Sequence, residues 1–391
     1  MSTKSGIKPA VLFPVLLSFF VMSFVDLVGI GVDRVSHDME LSASMAQLIP
    51  SAAFLWFLLL SVPVGIVQSR IGKKVMLNSG MLITALGLLL PFLKYSFPMV
   101  LTGFALLGIG NTIVQVSANP LLVDVVPGNR SSSFLSFSQF IKAIGSMVAP
   151  PLAGFLAASL GDWKLLFLIF GLVSVLSVIW LAFTTIEETP QEVKATLGTS
   201  LSLLGNSYIL ILVLSIFVVV GVDVGFNSNS GQFLMQRFGF LREAAESGRS
   251  IYFFGRMAGT SLGALLLLKV SSTRFFTWTS VLGIFSFLML LLLPSSVAHL
   301  VVWILIFITG LAVANIFPLV FSIAVARYPE RNSEISGLMM MAISGGAVFP
   351  PLMGWITEIS TVTWGMSVMP VCMILLLGSA LYAGAGSART T

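Results

Sequence analysis

The chain has 391 residues, of which 57% are hydrophobic and only 9% charged, with a mean hydropathy of +1.03 and a formal net charge of +5. Soluble domains carry about 25% charged residues, so this composition excludes a water-solvated surface and leaves the lipid bilayer as the solvent. The single cysteine, Cys372, excludes a disulfide framework. The basic residues are dispersed between apolar runs rather than gathered in a patch, which excludes nucleic acid as a partner.

A membrane-crossing helix needs about 20 predominantly apolar residues. Twelve such segments are predicted in chain order, over residues 10–32, 45–67, 75–94, 98–122, 132–158, 164–184, 206–230, 247–268, 275–293, 298–325, 334–357 and 363–384. The first contains Asp26 and is too long for the apolar stretch of a cleavable signal. The longest connector, 185–205, holds Glu187, Glu188, Pro190, Glu192 and Lys194 and divides the chain nearly in half. The expected organisation is an N-terminal six-helix bundle over 1–186, a cytoplasmic linker over 187–205 and a C-terminal six-helix bundle over 206–391. An even number of spans puts both termini on one side. That side carries twelve Lys and Arg residues against six on the other, so both termini are expected to be cytoplasmic.

The halves repeat at a spacing of about 200 residues. Ile144 to Gly154 aligns with Ser344 to Gly354 through a shared Pro-Pro-Leu-x-Gly, Gly110 aligns with Gly310, and Val25-Asp26 aligns with Val222-Asp223. The predicted fold class is therefore an all-α membrane protein of twelve helices in two pseudo-symmetric bundles. A duplicated six-helix unit around a midplane site is a transporter architecture, in which one half rocks against the other.

An ionisable group at membrane depth costs roughly 2.5–3.5 kcal/mol and so marks a partner or a purpose. Asp26 and Asp223, each flanked by glycines, are expected to face one another across a central cavity and are the candidates for proton coupling. Lys142 shares a helix face with Gln139 and Ser146 at i−3 and i+4, and either contacts substrate or forms a structural salt bridge with Asp26. Asn111, Gln115 and Asn119 form one stripe at i, i+4 and i+8. Asn227 follows Asp223 by one turn, and Asn315 holds the place of Gln115 in the second half. Gln115, Asn119, Gln139, Lys142, Asn227 and Asn315 are the candidate substrate-binding residues, because amides both donate and accept and so suit a hydroxyl-rich ligand. Arg256, among small residues, is expected to anchor a helix crossing. No phosphate-cradling glycine loop, Cys/His metal cluster or catalytic constellation occurs, so an enzyme, a cofactor and a bound metal are not expected.

The segment Gly65-Ile-Val-Gln-Ser69-Arg70-Ile-Gly72-Lys73-Lys74 resembles the loop signature G-x-x-x-D-R-x-G-R/K-R/K of the major facilitator superfamily, with Gly65, Arg70, Gly72 and Lys73 matching and Ser69 in place of the aspartate. Over most of both halves the chain is similar to the fucose/glucose/galactose–proton symporter family. Ser117-Ala-Asn119-Pro120 resembles that family's A-A-N-P, Gln139-Phe-Ile-Lys142-Ala-Ile-Gly145 its Q-T-F-N-S-F-G, and Gly255-Arg256-Met-Ala-Gly259-Thr260 its G-R-F-x-G-T. Phe317-Pro318 to Ser322 and Gly345-Gly346 to Gly354 extend the match. The family's span-four carboxylate falls on Gln115, its span-one aspartate on Gly29 and its span-five asparagine on Lys142, so a cation enters the site and two usual acids leave it.

The resemblance implies a secondary active transporter of a monosaccharide or close derivative, coupled to a proton and embedded as a monomer in a bacterial inner membrane. The alternatives are a transporter of an acidic sugar, a drug or metabolite exporter of the same superfamily, and a sensor that binds ligand without transport.

Overall fold

The computed structural model describes residues 9–126, 131–189 and 196–387. Lys4, Lys8, Arg130, Lys194 and Arg389, which entered the charge count, lie outside the described residues. The described residues form twelve long helices, numbered here α1 Pro9–Asp38, α2 Ala43–Ile71, α3 Lys73–Leu93, α4 Phe97–Val125, α5 Ser131–Leu160, α6 Leu165–Phe183, α7 Ser207–Phe238, α8 Arg242–Leu266, α9 Ser272–Leu292, α10 His299–Arg327, α11 Glu334–Ile359 and α12 Val362–Ala385. Eleven are apolar and long enough to span a membrane. The remaining one, α8, carries Arg242, Glu243, Glu246, Arg249 and Arg256 and packs against α5, α7 and α10 as a full member of the bundle.

Local chemistry sets the ends. Asn206 caps α7 by accepting from the backbone of Tyr208 at 2.9 Å and Ile209 at 3.3 Å, and Gly239, left-handed at φ 68°, closes it. Gly72, at φ 95° and ψ 154°, makes the sharp joint between α2 and α3. Three helices break near mid-length: α1 at a 3-10 turn over Ser23–Leu27, α10 between Val313 and Ile316, and α11 at a 3-10 turn over Ala342–Ser344. Backbone irregularity at membrane depth is tolerated only inside the protein or against a cavity, and these breaks border the central cavity described below.

The packing is two-fold. The contacts α1 on α5, α2 on α4 and α3 on α6 recur as α7 on α11, α8 on α10 and α9 on α12. Each half has its own apolar core, one built mainly from residues between Leu12 and Leu181 and the other from residues between Leu203 and Ala383. Across the halves α1 meets α7, while the α2–α11 contact is mirrored by α5–α8.

Three helix ends differ from the hydropathy reading by five residues or more. α1 runs to Asp38 rather than 32, α7 runs to Phe238 rather than 230, and α8 starts at Arg242 rather than 247. Arg34, Arg237 and Arg242, outside the predicted spans, are therefore helical. The charges that end a hydropathy window do not end the helix where tertiary partners neutralise them. Arg237, for example, donates to the carbonyls of Leu291 and Leu293 at 3.3 and 3.0 Å.

Candidate functional site

A cavity of about 850 Å³ lies between the two halves, within the range that holds one small-molecule ligand. It extends from the helix breaks at mid-bundle to the face that bears the linker, where it is bordered by Gly65 and Gln68 of α2, Leu135 of α5, Ala264 of α8, Phe321 of α10 and Gly337 of α11.

Of the residues nominated from sequence, Asp26, Gln115, Asn119, Gln139, Lys142, Asp223 and Arg256 all line this cavity. Asp26 sits in the 3-10 turn of α1. Its carboxylate accepts from the Ser146 hydroxyl at 2.5 Å, and its backbone carbonyl accepts from Asn227 Nδ2 at 2.9 Å. Asp223 is engaged twice within its own half: Arg256 Nη1 donates to it at 2.6 Å and the Tyr252 hydroxyl at 2.7 Å. The expected helix anchor at Arg256 is thus an ion pair on the cavity wall. Lys142 reaches the cavity from α5, but the salt bridge to Asp26 weighed from sequence is not formed. Serine, not lysine, occupies the Asp26 carboxylate.

Three of the amides have other tasks. Asn111 donates to the Met22 carbonyl at 2.7 Å and accepts from Gln115 Nε2 at 2.9 Å, so it ties α4 to the break in α1. Asn315, expected on the ligand as the second-half counterpart of Gln115, is buried outside the cavity lining and donates to the Gly259 carbonyl at 2.7 Å. From the break in α10 it thus ties α10 to α8. Asn227, also expected on the ligand, is buried outside the cavity lining and fastens α7 to α1 through the Asp26 carbonyl.

The face opposite the linker carries a set of residues that sequence reading passed over. Arg34 lies against Glu246, with Nη2 2.7 Å from Oε2 and Nε 2.5 Å from Oε1. Arg249 pairs with Asp33 and donates Nε to the Asn227 carbonyl at 2.7 Å. Gln47 Nε2 donates to Asn229 Oδ1 at 2.9 Å, and the Ser51 hydroxyl donates to the Ala347 carbonyl at 2.8 Å. Every one of these bonds except the intra-half one from Arg249 to Asn227 joins the first half to the second. Gly29 permits the close approach, since a Cβ there would strike the Asn227 amide and carbonyl. The available signal was spacing: Glu246, Arg249, Phe253 and Arg256 share one face of α8, and Asp26, Gly29 and Asp33 share one face of α1.

On the linker face, the signature loop holds the first half together. The Glu188 carboxylate accepts from the backbone of Lys73 at 2.5 Å and Lys74 at 3.1 Å, filling the open N-terminus of α3. Lys73 Nζ pairs with Asp124 at 2.6 Å and also donates to the Thr189 carbonyl at 3.0 Å. Arg70 is exposed, and Ser69, where the signature has aspartate, donates to the Ile66 carbonyl of its own helix at 2.7 Å.

Comparison with known proteins matches this architecture. The chain is 24% identical over 362 residues to a glucose/galactose transporter of Brucella abortus, covering 88% of this chain and 86% of that one. It is 26% identical to a putative glucose/galactose transporter of Helicobacter pylori, covering 93% and 94%. The crystal structure of the Escherichia coli fucose:proton symporter superimposes with a TM-score of 0.68 at 16% identity over 96% of this chain and 99% of that one, a likeness of fold. The sequence profile of the Major Facilitator Superfamily matches residues 14–351, and the chain belongs to that superfamily.

Proposed function

We propose that the chain is a secondary active transporter that carries a monosaccharide or close derivative together with a proton, by alternating access to the central cavity. The carrying observation is Asp26: an acid in a helix break, on the wall of a ligand-sized cavity, held by a hydroxyl rather than by a cation. A carboxylate so placed exchanges a proton without first breaking a salt bridge. The amides of Gln115, Asn119 and Gln139 around it supply the donors and acceptors that sugar hydroxyls need, and the transporters named above support a sugar as the load. Asp223, already paired with Arg256, is assigned a supporting role. The two bundles, joined by 187–205, are the moving units, and the linker face is assigned to the cytoplasm of a bacterial cell. In that orientation the sealed outer face and the cavity reaching the linker face correspond to an inward-open state.

The test is uptake of labelled sugars into proteoliposomes with and without an inward proton gradient. Wild type accumulates its sugar uphill. Asp26→Asn, which keeps the shape and removes the proton site, loses accumulation while still exchanging sugar for sugar. Uphill uptake that survives in the asparagine variant overturns the assignment of Asp26.

A further inference from the structure

Each half contributes one acid and one base to the cavity: Asp26 and Lys142 from the first, Asp223 and Arg256 from the second. The second pair is closed, with guanidinium on carboxylate at 2.6 Å and the Tyr252 hydroxyl completing it. The first pair is not. Ser146 takes the Asp26 carboxylate, and among the described residues the Lys142 ammonium has no hydrogen bond and no carboxylate within 4 Å, although Asp26, Arg256 and Asp223 all lie within electrostatic range. An ammonium carries three donors and no acceptor. Left bare in a cavity that must close around its load, it is an unpaired charge in a low-dielectric space, which is costly unless the load itself pairs with it. Gln139 lies one turn before Lys142 on the same face of α5, and Asn119 and Gln115 face the same space from α4.

We infer that the transported sugar bears one carboxylate, which pairs with Lys142 while its hydroxyls meet Gln139 and Asn119. The inference rests on the sugar-transport reading of the cavity and narrows it. Charge conservation gives it a distinct signature. Empty, the Asp26 carboxylate and the Lys142 ammonium sum to zero. Loaded with a proton on Asp26 and a carboxylate against Lys142, the site again sums to zero, and the Asp223–Arg256 pair is unchanged throughout. Proton and sugar acid therefore cross without net movement of charge. A neutral sugar crossing with the same proton leaves a net charge of one on the loaded site and would be driven by the membrane potential.

The experiment uses the intact protein in proteoliposomes with labelled galacturonate and labelled galactose, imposing either a pH gradient alone or a potassium diffusion potential alone. The expected result is galacturonate accumulation driven by the pH gradient, an initial rate unmoved by the potential, and galactose competing at least about tenfold more weakly, as loss of a charge-assisted bond implies. Lys142→Asn should lower galacturonate uptake about tenfold or more, and Lys142→Arg should retain it. The competition and potential measurements on wild type decide the matter even where a variant fails to fold. Preference for galactose, or galacturonate uptake driven by the potential, overturns the carboxylate assignment and leaves sugar transport standing. Uptake of neither sugar overturns both.

Discussion

The amides sort into two kinds, and the distinction is testable one residue at a time. Gln139 opens into the cavity, whereas Asn315 is buried and spends its Nδ2 on the Gly259 carbonyl, in a space so tight that a Cβ on Gly263 would strike its side chain. Gln139→Leu should therefore raise the KM for uptake by about tenfold, the loss expected for one or two hydrogen bonds to a ligand, and leave thermal stability alone. Asn315→Leu should do the reverse, lowering stability by about 0.5–1.5 kcal/mol through the lost hydrogen bond between α10 and α8 with KM unchanged. Melting curves in detergent alongside uptake kinetics separate the two outcomes, and a KM effect in the Asn315 variant would return that residue to the binding site. Sequence reading placed both among the candidate substrate-binding residues because spacing shows which residues share a helix face, not which way that face turns. It found Asp26, Asp223, Lys142 and Gln139, since charge and amide density at membrane depth have few explanations. It did not place Asn315 at a break in α10, although Pro318, which has no N–H for the Ala314 carbonyl and presses its ring on it, carries that signal.

At the scale of elements, the face opposite the linker is closed by ion pairs between α1 and α8. Hydropathy reads residues singly, so Asp33 and Arg34 ended one predicted span and Glu246 fell before the start of another, which held Arg249 just inside it. Paired with each other across the two halves, they extend those spans instead. Arg249 is 1% exposed and Asp33 5%, so breaking the pair from one side strands a buried charge, which costs about 3–5 kcal/mol, whereas replacing both partners with apolar residues is tolerated. Arg249→Met alone should therefore melt well below the Asp33→Leu/Arg249→Met double variant. Equal melting temperatures would mean the two charges are not coupled. The joint between α2 and α3 is a second element-level constraint. Gly72 has a backbone conformation almost confined to glycine, and a Cβ there would press on the Glu188 carboxylate that caps α3. Gly72→Ala should cost about 1–3 kcal/mol, read as a lowered melting temperature, while Arg70→Ala, at an exposed position, should not. The match to the family loop signature was legible from Gly72 and Lys73. Glu188, which accepts from the backbone of Lys73 and Lys74 behind that loop, was not, because it lies more than a hundred residues away in the chain and only the folded first half brings it back.

At the scale of the whole molecule, the two-fold arrangement makes a specific demand. The contacts α2–α11 and α5–α8 are images of one another under the pseudo-symmetry, so a swing of one bundle against the other can exchange a seal on one face for a seal on the opposite face. In this state the seal is opposite the linker, made by Gln47 with Asn229, Ser51 with Ala347, and the backbone of Ser44 with Glu358 at 3.2 Å. Proposed alternating access requires every one of these to part in each cycle. Gln47→Cys with Asn229→Cys, in a Cys372→Ala background that removes the native thiol, places two thiols where a 2.9 Å side-chain bond now joins α2 to α7. Bridging them with a short cleavable bifunctional reagent should leave the cavity reachable from the linker face, so that substrate binding persists, while net flux and exchange both stop. Reductive cleavage should restore transport in the same sample, which separates a locked cycle from a damaged protein. Flux that continues at the original rate in the bridged protein would mean that the two halves do not separate at this face, and the rocking of one bundle against the other would have to be abandoned.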